Sequence, residues 1–231
     1  MKTEIFYTLR IPDPVRGPLI YGNPDWLRKY RFAEWADDVE LESITCPVYP
    51  GHQRGGKRIG ELKIILSSAK IGDFVWTWYS DCLITDRVYK LFKEAGFTGF
   101  KVFPVTVKKI KRKAKNVEEG IPRLWELVVT GKGGNAHPDS GIRMFYKCDA
   151  CGLIKYSSFR NGIIVNKSEW DGSDFFAVNG YSFILVTERV KQFIIEHKFT
   201  NCALIPSHEL QWGKMTRPED VYEGEKFGTH P

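Results

Sequence analysis

Long apolar runs are missing from this sequence. No stretch reaches the roughly 18 consecutive apolar residues that a membrane-spanning helix needs, and residues 1–7 lack the apolar core of a signal peptide. A disordered chain is disfavoured as well, because 42% of the residues are hydrophobic and 14% are aromatic, which is enough to bury a core. We therefore expect a folded, cytoplasmic protein with no membrane partner.

Cysteine is scarce, and the five cysteines are an odd number. A reducing compartment disfavours a framework of disulfides, so thiols at a Cys-x-x-Cys spacing indicate metal binding or redox chemistry. Cys148 and Cys151 have this spacing, and Gly152 follows them. Cys82 and Cys202 lie inside apolar runs, which favours small buried side chains.

The sequence motifs of common enzymes are absent. There is no Gly-x-Ser-x-Gly, no His-Glu-x-x-His and no paired-carboxylate pattern. Residues 51–57 match a phosphate-binding loop at three positions, but Arg58 stands where that loop needs a hydroxyl. His137 and Asp139 lie in a Gly-rich turn, where capping explains them. We therefore predict no catalytic residues and a protein that is not an enzyme.

The Cys-x-x-Cys-Gly segment at residues 148–152 predicts half of a metal site. Its spacing puts two sulfurs on one side of a tight turn, and the glycine supplies the positive φ that lets backbone N–H groups point back at them. A dithiol catalyst is disfavoured, because a thioredoxin-like pair opens a helix, whereas an extended run follows this one. The best source of the other ligands is Cys46 with His52, the unassigned Cys and His at close spacing.

The set Cys46, His52, Cys148 and Cys151 predicts a structural Zn²⁺ site. Three thiolates and one imidazole make a closed tetrahedral site with no position for a catalytic water. Such a site has one net negative charge, which nearby basic residues can offset. These are Arg54, Lys57, Arg58, Lys147 and Lys155. The alternative is that the thiols are core residues without a metal.

Two segments of the sequence, 73–104 and 174–206, share one pattern of spacing. In both, a Phe-Thr pair lies ten residues after an Arg (Arg87 or Arg189) and a Pro lies seventeen residues after it. Thr85 and Thr187 are predicted N-caps, each followed by a carboxylate in the first helical turn. Apolar residues at helical spacing follow, and each segment therefore predicts a helix between two strands.

These features predict an α+β fold. A duplicated strand-helix-strand unit with a mostly antiparallel sheet is joined by a zinc knuckle. We divide the chain into an N-terminal half, 1–130, containing the first unit at about 73–104, and a C-terminal half, 131–231, containing the knuckle and the second unit at about 174–206. The two halves are expected to form one compact unit.

Positive charge is concentrated in one segment. The formal net charge is +6, and residues 108–115 alone carry six positive charges. This segment is either a solvated loop of a hairpin or a patch that contacts phosphates. The second interpretation gives an alternative function, a zinc-stabilised nucleic-acid-binding protein that uses residues 108–115.

The sequence resembles the double-CXXCG-motif proteins of myxobacteria and other bacteria. The resemblance covers roughly residues 45–210 and is carried by the segments 124–131 with 140–142, 148–152, 170–175 and 186–190. That family is regarded as immunity proteins of polymorphic toxin systems, which implies a non-catalytic protein that binds a cognate toxin. In the first motif Tyr49 stands where a second Cys is expected, so either His52 replaces that ligand or the site is incomplete.

The positive net charge restricts the kind of toxin that would fit. Nuclease toxins tend to be basic, and acidic inhibitors associate with them fastest through complementary charge. A chain with a net charge of +6 fits that role poorly. We therefore expect a toxin that is not a basic nuclease, or a contact made through the acidic residues of 37–42.

Overall fold

The computed structural model describes residues 4–12, 32–111 and 120–212. Within them the chain forms fifteen strands and two α-helices. The strands are β1 (Tyr7–Arg10), β2 (Phe32–Trp35), β3 (Glu40–Ile44), β4 (Arg54–Ile59), β5 (Leu62–Leu66), β6 (Phe74–Thr77), β7 (Cys82–Thr85), β8 (Phe100–Ile110), β9 (Leu124–Val129), β10 (Gly131–Lys132), β11 (Met144–Lys147), β12 (Ile154–Tyr156), β13 (Phe175–Ala177), β14 (Ile184–Val186) and β15 (Ala203–Pro206). The helices are α1 (Asp86–Glu94) and α2 (Glu188–Glu196), with short 3-10 helices at Pro50–His52, Pro138–Ser140 and Ser207–Glu209.

Six strands close into a barrel in the order β2-β5-β8-β9-β7-β6. The pairs β2–β6 and β5–β8 are parallel, and the other four pairs are antiparallel. Alternate residues of a strand point to the same face, and the inward face is filled by small and branched side chains. These are Ala33, Leu62, Ile64, Leu66, Val75, Leu83 and Leu124.

A five-stranded sheet in the order β10-β13-β14-β1-β15 lies beside the barrel. The first strand of the chain, β1, is internal to this sheet and pairs antiparallel with β14 and β15. A strand from the N-terminal half of the chain therefore completes a sheet whose other members come from the C-terminal half.

The largest apolar core lies between the barrel, the five-stranded sheet and both helices. The fully buried ring of Phe92 in α1 is at its centre, 5.5 Å from the ring of Phe97, 5.3 Å from that of Phe175 and 5.8 Å from that of Phe199. Burying one such ring stabilises the folded state by about 1.5–3 kcal/mol relative to leaving it in water. This core joins the barrel to the five-stranded sheet.

The helices begin where the sequence predicts, although their capping differs. Thr85 and Thr187 take the N-cap positions with extended backbones, but neither side chain makes a capping hydrogen bond. The hydroxyl of Thr187 donates instead to the carboxylate of Asp174. Asp86 and Glu188 do lie in the first turns, where a carboxylate interacts favourably with the helix dipole.

The predicted α+β fold built from a duplicated strand-helix-strand unit is wrong. The described residues are mostly β, with a closed barrel and mixed sheets. Strands β6, β7 and β8 of the first segment join β2, β5 and β9 in the barrel, whereas β13, β14 and β15 join β1 and β10 in an open sheet. Spacing within a segment reports only local structure, and the architecture is determined by strands from outside both segments.

Two small hairpins lie outside the barrel and the five-stranded sheet. Strand β3 pairs antiparallel with β4, and β11 pairs antiparallel with β12. A two-stranded hairpin is only marginally stable by itself in water, so these elements need support from elsewhere. Among the described residues, neither α-helix is long and apolar enough to cross a bilayer.

Candidate metal centre

The two outer hairpins carry the four predicted ligands. Cys46 lies just after β3, and His52 ends the 3-10 helix that precedes β4. Cys148 and Cys151 lie in the turn between β11 and β12. The structure brings all four side chains together in one cluster, close enough to hold a metal ion.

Two distances within the cluster are close to those between the ligands of a tetrahedral centre. All four ligand atoms lie within 4.8 Å of one another. The Sγ atoms of Cys46 and Cys148 are 3.8 Å apart, and Sγ of Cys151 is 3.8 Å from Nδ1 of His52. Two sulfurs bound tetrahedrally to zinc at about 2.3 Å are separated by about 3.8 Å. The donor set therefore fits a four-coordinate ion.

The thiols in this cluster are not joined by a disulfide. An S–S bond is about 2.05 Å long, far shorter than the 3.8 Å between Cys46 and Cys148, and the five cysteines are free. Cys46 is buried, with 4% of its surface exposed. A set of three thiols and one imidazole without a disulfide has the chemistry of a metal site.

Backbone N–H groups point at the sulfurs in both hairpins. The amide of Tyr49 donates to Sγ of Cys46 at 3.4 Å. The amide of Leu153 donates to Cys151, and the φ of Gly152 is +67°. A Cβ at Gly152 would meet nothing within 4 Å, so this position favours glycine for its φ alone. The predicted turn geometry of residues 148–152 is confirmed.

Arg54 supplies a positive charge at the edge of the cluster. One terminal nitrogen of its guanidinium donates to Sγ of Cys151 at 3.4 Å and to the carbonyl of His52 at 3.2 Å. The other donates to the carbonyl of Cys151 at 2.9 Å. Arg54 is the main cause that lowers the pKa of Cys151 to about 6. This shift favours the thiolate of Cys151, which is the form that binds metals.

Other basic residues predicted to offset the charge have different partners. Arg58 pairs with Glu126, Lys147 with Asp149 at 3.5 Å, and Lys155 lies 5.7 Å from the centre of the Tyr146 ring. These side chains add positive charge to the two hairpins. Arg54 differs from them because it donates directly to a cluster sulfur.

Two tyrosines hold the ring of His52. Tyr49 and Tyr146 make edge contacts with the imidazole at centroid distances of 4.7 and 5.4 Å. The hydroxyl of Tyr146 is 3.2 Å from Nε2 of His52. Burial and the nearby Cys148 raise the pKa of Tyr146. Sequence reasoning missed this residue, although it lies two positions before Cys148 on an extended strand, a spacing that puts both side chains on one face.

The remaining candidates have structural roles. Cys82 is buried, and burial raises its pKa well above the ordinary range. Burial also raises the pKa of Cys202 to about 12. The interpretation as a buried core thiol is confirmed for Cys82, whereas Cys202 is half-buried and packs against the edge of the core. His137 caps the short helix Pro138–Ser140 by accepting from the amide of Asp139 at 3.3 Å, as the turn interpretation predicted.

Comparison with models of protein families and with curated proteins finds no match for this chain. Its function is therefore inferred from the geometry of the Cys46, His52, Cys148 and Cys151 centre and from the surfaces beside it.

Proposed function

We propose that the protein is a non-catalytic binding protein whose outer hairpins are held together by one structural zinc ion. The tetrahedral spacing of Cys46, His52, Cys148 and Cys151 carries this proposal. Zinc prefers such a donor set, and four protein ligands leave no open position for water or substrate. The ion would therefore support the fold and take no part in turnover.

The position of the centre explains what the ion would stabilise. Cys46 and Cys148 are 102 positions apart in the sequence, and they belong to two hairpins with mostly exposed strands. All four residues of β11 and the first four of β3 are exposed. A hairpin of two strands is only marginally stable by itself. A metal ion bound by both hairpins would supply the rigidity that their small apolar area cannot.

We propose that these hairpins contact a protein partner. Exposed apolar side chains gather in them, and surfaces of this kind mark sites of protein contact. They include Val48, Tyr49, Met144, Phe145, Tyr146 and Ile154, with exposed fractions between 37% and 75%. The resemblance to immunity proteins suggests that this partner is a cognate bacterial toxin.

Charge in the two hairpins indicates the chemistry of that partner. Cations flank the exposed apolar residues, and they include Lys57 and Lys155. An interface is favoured when opposite charges meet, so the partner is expected to present an acidic surface. The acidic stretch 37–42 is a weaker candidate for contact, because Asp38 already pairs with Lys63 at 2.9 Å and Lys108 at 3.3 Å.

The alternative function, nucleic-acid binding through residues 108–115, has less support. Of the lysines that the structure describes in this segment, Lys108 pairs with Asp38 at 3.3 Å and Lys111 with Glu34 at 2.6 Å. A lysine already paired with a carboxylate has less charge to offer a phosphate. Residues 112–115 of the predicted patch lie outside the described residues.

Elemental analysis of the purified protein tests the zinc proposal. We expect one zinc per chain, and removing it with a chelator should lower the melting temperature. Cys202→Ser is the matched control, because Cys202 lies outside the cluster and its loss should leave the zinc content unchanged. A chain without zinc, or one whose melting temperature is the same with and without zinc, would contradict the proposal.

Co-purification tests the partner. The product of the neighbouring open reading frame should bind the zinc-loaded protein and not the chelated one. A nucleic-acid function predicts instead that an oligonucleotide binds at low salt and that its affinity falls steeply as salt rises. No oligonucleotide binding at low salt would remove that alternative.

A further inference from the structure

We infer that Tyr146 and Arg54 are positioning residues of the metal centre. Tyr146 orients His52 so that Nδ1 binds the ion, and Arg54 compensates the excess negative charge through Cys151. The inference rests on the proposed zinc site, and it adds which ring nitrogen is the ligand and which two side chains determine the affinity.

The two nitrogens of His52 face different partners. Nδ1 is 3.8 Å from Sγ of Cys151 and so points toward the sulfurs. Nε2 is 3.2 Å from the hydroxyl oxygen of Tyr146. A histidine that binds a metal usually donates its other N–H to an acceptor, which fixes both the tautomer and the ring orientation. The proton therefore belongs on Nε2, where it is donated to the oxygen of Tyr146.

The contact between Tyr146 and His52 also joins the two hairpins. Tyr146 belongs to β11, and His52 precedes β4 in the other hairpin. Edge contacts from Tyr146 on one side and Tyr49 on the other restrict rotation of the imidazole. A ring that is already oriented loses less entropy when the ion binds.

Arg54 compensates the negative charge of the metal centre. A zinc ion with three thiolates has a net charge of −1, and a neutral imidazole does not change it. The guanidinium of Arg54 belongs to β4, yet it donates to both Sγ and the carbonyl of Cys151 in the opposite hairpin. Two nitrogens of the planar guanidinium group donate these two hydrogen bonds. A lysine at this position would keep the positive charge and lose one of the two hydrogen bonds.

The first experiment measures zinc affinity by competition with a chelator. Tyr146→Phe and Arg54→Ala should each weaken zinc binding about 10-fold or more, the range found when a residue behind a metal ligand is changed. Arg54→Lys should fall between Arg54→Ala and the wild type. Tyr79→Phe, an exposed tyrosine on the barrel, and Lys90→Gln, a cation of α1 paired with Asp86, are the matched controls and should bind like the wild type.

The second experiment is spectroscopic and does not depend on stability. In the zinc-loaded protein, long-range ¹H–¹⁵N NMR should show the His52 proton on Nε2, and with Co²⁺ in place of zinc the absorption spectrum should be that of a tetrahedral thiolate site. A purely structural role for Tyr146 would lower the melting temperature of Tyr146→Phe and leave zinc affinity and His52 resonances unchanged.

The outcomes separate the two proposals. If Tyr146→Phe and Arg54→Ala bind zinc as tightly as the wild type does, the positioning roles are wrong and the zinc site stands. A proton on Nδ1 of His52 would overturn the assignment of the ligand nitrogen. A wild-type protein that binds no zinc would overturn the proposed function and this inference with it.

Discussion

The carboxylate of Asp174 accepts two hydrogen bonds from Thr98, one from its backbone N–H at 3.0 Å and one from its hydroxyl at 3.2 Å. Asp73 accepts the corresponding two from Thr200, both at 2.9 Å. Asp73 and Thr98 flank elements of the barrel, and Asp174 and Thr200 flank elements of the five-stranded sheet. Two reciprocal pairs therefore fasten the barrel to the sheet around the shared core.

Replacing Asp174 by alanine should destabilise the protein by about 3 kcal/mol. Hydrogen bonds to a charged group contribute about 1.5–3 kcal/mol each, and the amide of Thr98 would lose its partner. Denaturant titration measures the change. The control Asp139→Ala removes a carboxylate that is 76% exposed and should change the stability by less than about 0.5 kcal/mol. Equal stabilities for the two variants would contradict the role given to Asp174.

Cys148→Ser should remove the zinc and lower the melting temperature. A hydroxyl is neutral where the thiolate is charged, so the remaining three ligands hold the ion poorly. A ligand present at 100 times its dissociation constant stabilises the folded state by about 2.7 kcal/mol, which this variant should lose. Calorimetry with and without added zinc measures it. A variant that has the wild-type melting temperature in the presence of zinc would indicate that the thiols are ordinary core residues.

Single and double substitutions of the ion pair between Arg58 and Glu126 should change the stability of the protein by different amounts. Glu126 lies opposite Leu83, a residue of the barrel interior, and shares its face of the sheet. The side chains of Arg58 and Glu126 are only 17% and 7% exposed. Burial raises the pKa of Glu126 in spite of the arginine. Glu126→Leu alone removes the closer carboxylate of Arg58 and leaves only Asp81 at 3.9 Å, so it should lower the stability by about 3 kcal/mol.

The double variant Arg58→Met with Glu126→Leu should recover most of that loss. Apolar side chains of similar volume avoid the desolvation penalty of the two charges, so the replacement is expected to be neutral or stabilising. A double-mutant cycle from denaturant titrations gives the coupling between the two positions. A double variant less stable than Glu126→Leu alone would show that the pair contributes through something other than charge compensation.

The stability of the protein should depend on Glu188 in acid. Hydrogen bonds from Tyr7 and then Lys191 lower the pKa of Glu188 from 4.5 to about 2. A carboxyl group with a lowered folded-state pKa stabilises the fold above pH 4.5, and that contribution is lost as the pH falls toward 2. Glu188→Gln should flatten this part of the pH profile in denaturant titrations.

The expected effect of Glu188→Gln is small, because the side chain is 43% exposed and solvent screens its charge. The slopes of the Glu188→Gln and wild-type profiles are compared between pH 4.5 and 2. A Glu188→Gln variant with the full wild-type slope would show that other carboxylates cause the acid dependence.

The ligands of the candidate centre could be predicted because their signal is local. Two thiols at a fixed spacing with a following glycine specify a turn, and of the remaining cysteines only Cys46 lies outside an apolar run and has a His close to it in the sequence. Arg54 was among the five basic residues considered, but its contact with Cys151 depends on how the two hairpins approach. Tyr146 was missed because a tyrosine has no characteristic spacing to a histidine 94 positions away.

The barrel could not be predicted for a related reason. Strand β2 has only four residues, the shortest length over which alternation can be recognised, so its sequence gives a weak signal. Its partners β5 and β6 are separated from it along the chain, and one of the two pairings is parallel. The pairing of distant strands depends on the packing of the whole core, whereas helix starts and tight turns depend on a few neighbouring residues. For that reason α1 and α2 were located correctly.

The internal position of β1 in the five-stranded sheet affects how the protein is made. On the ribosome, Tyr7 and Leu9 emerge long before residues 184–186 and 203–206, the segments with which they pair. Their apolar side chains must stay in water or bound to a chaperone until residues 184–206 have been synthesised. Barrel strands are finished by residue 129, so the nascent chain can close the barrel before β1 docks into the five-stranded sheet.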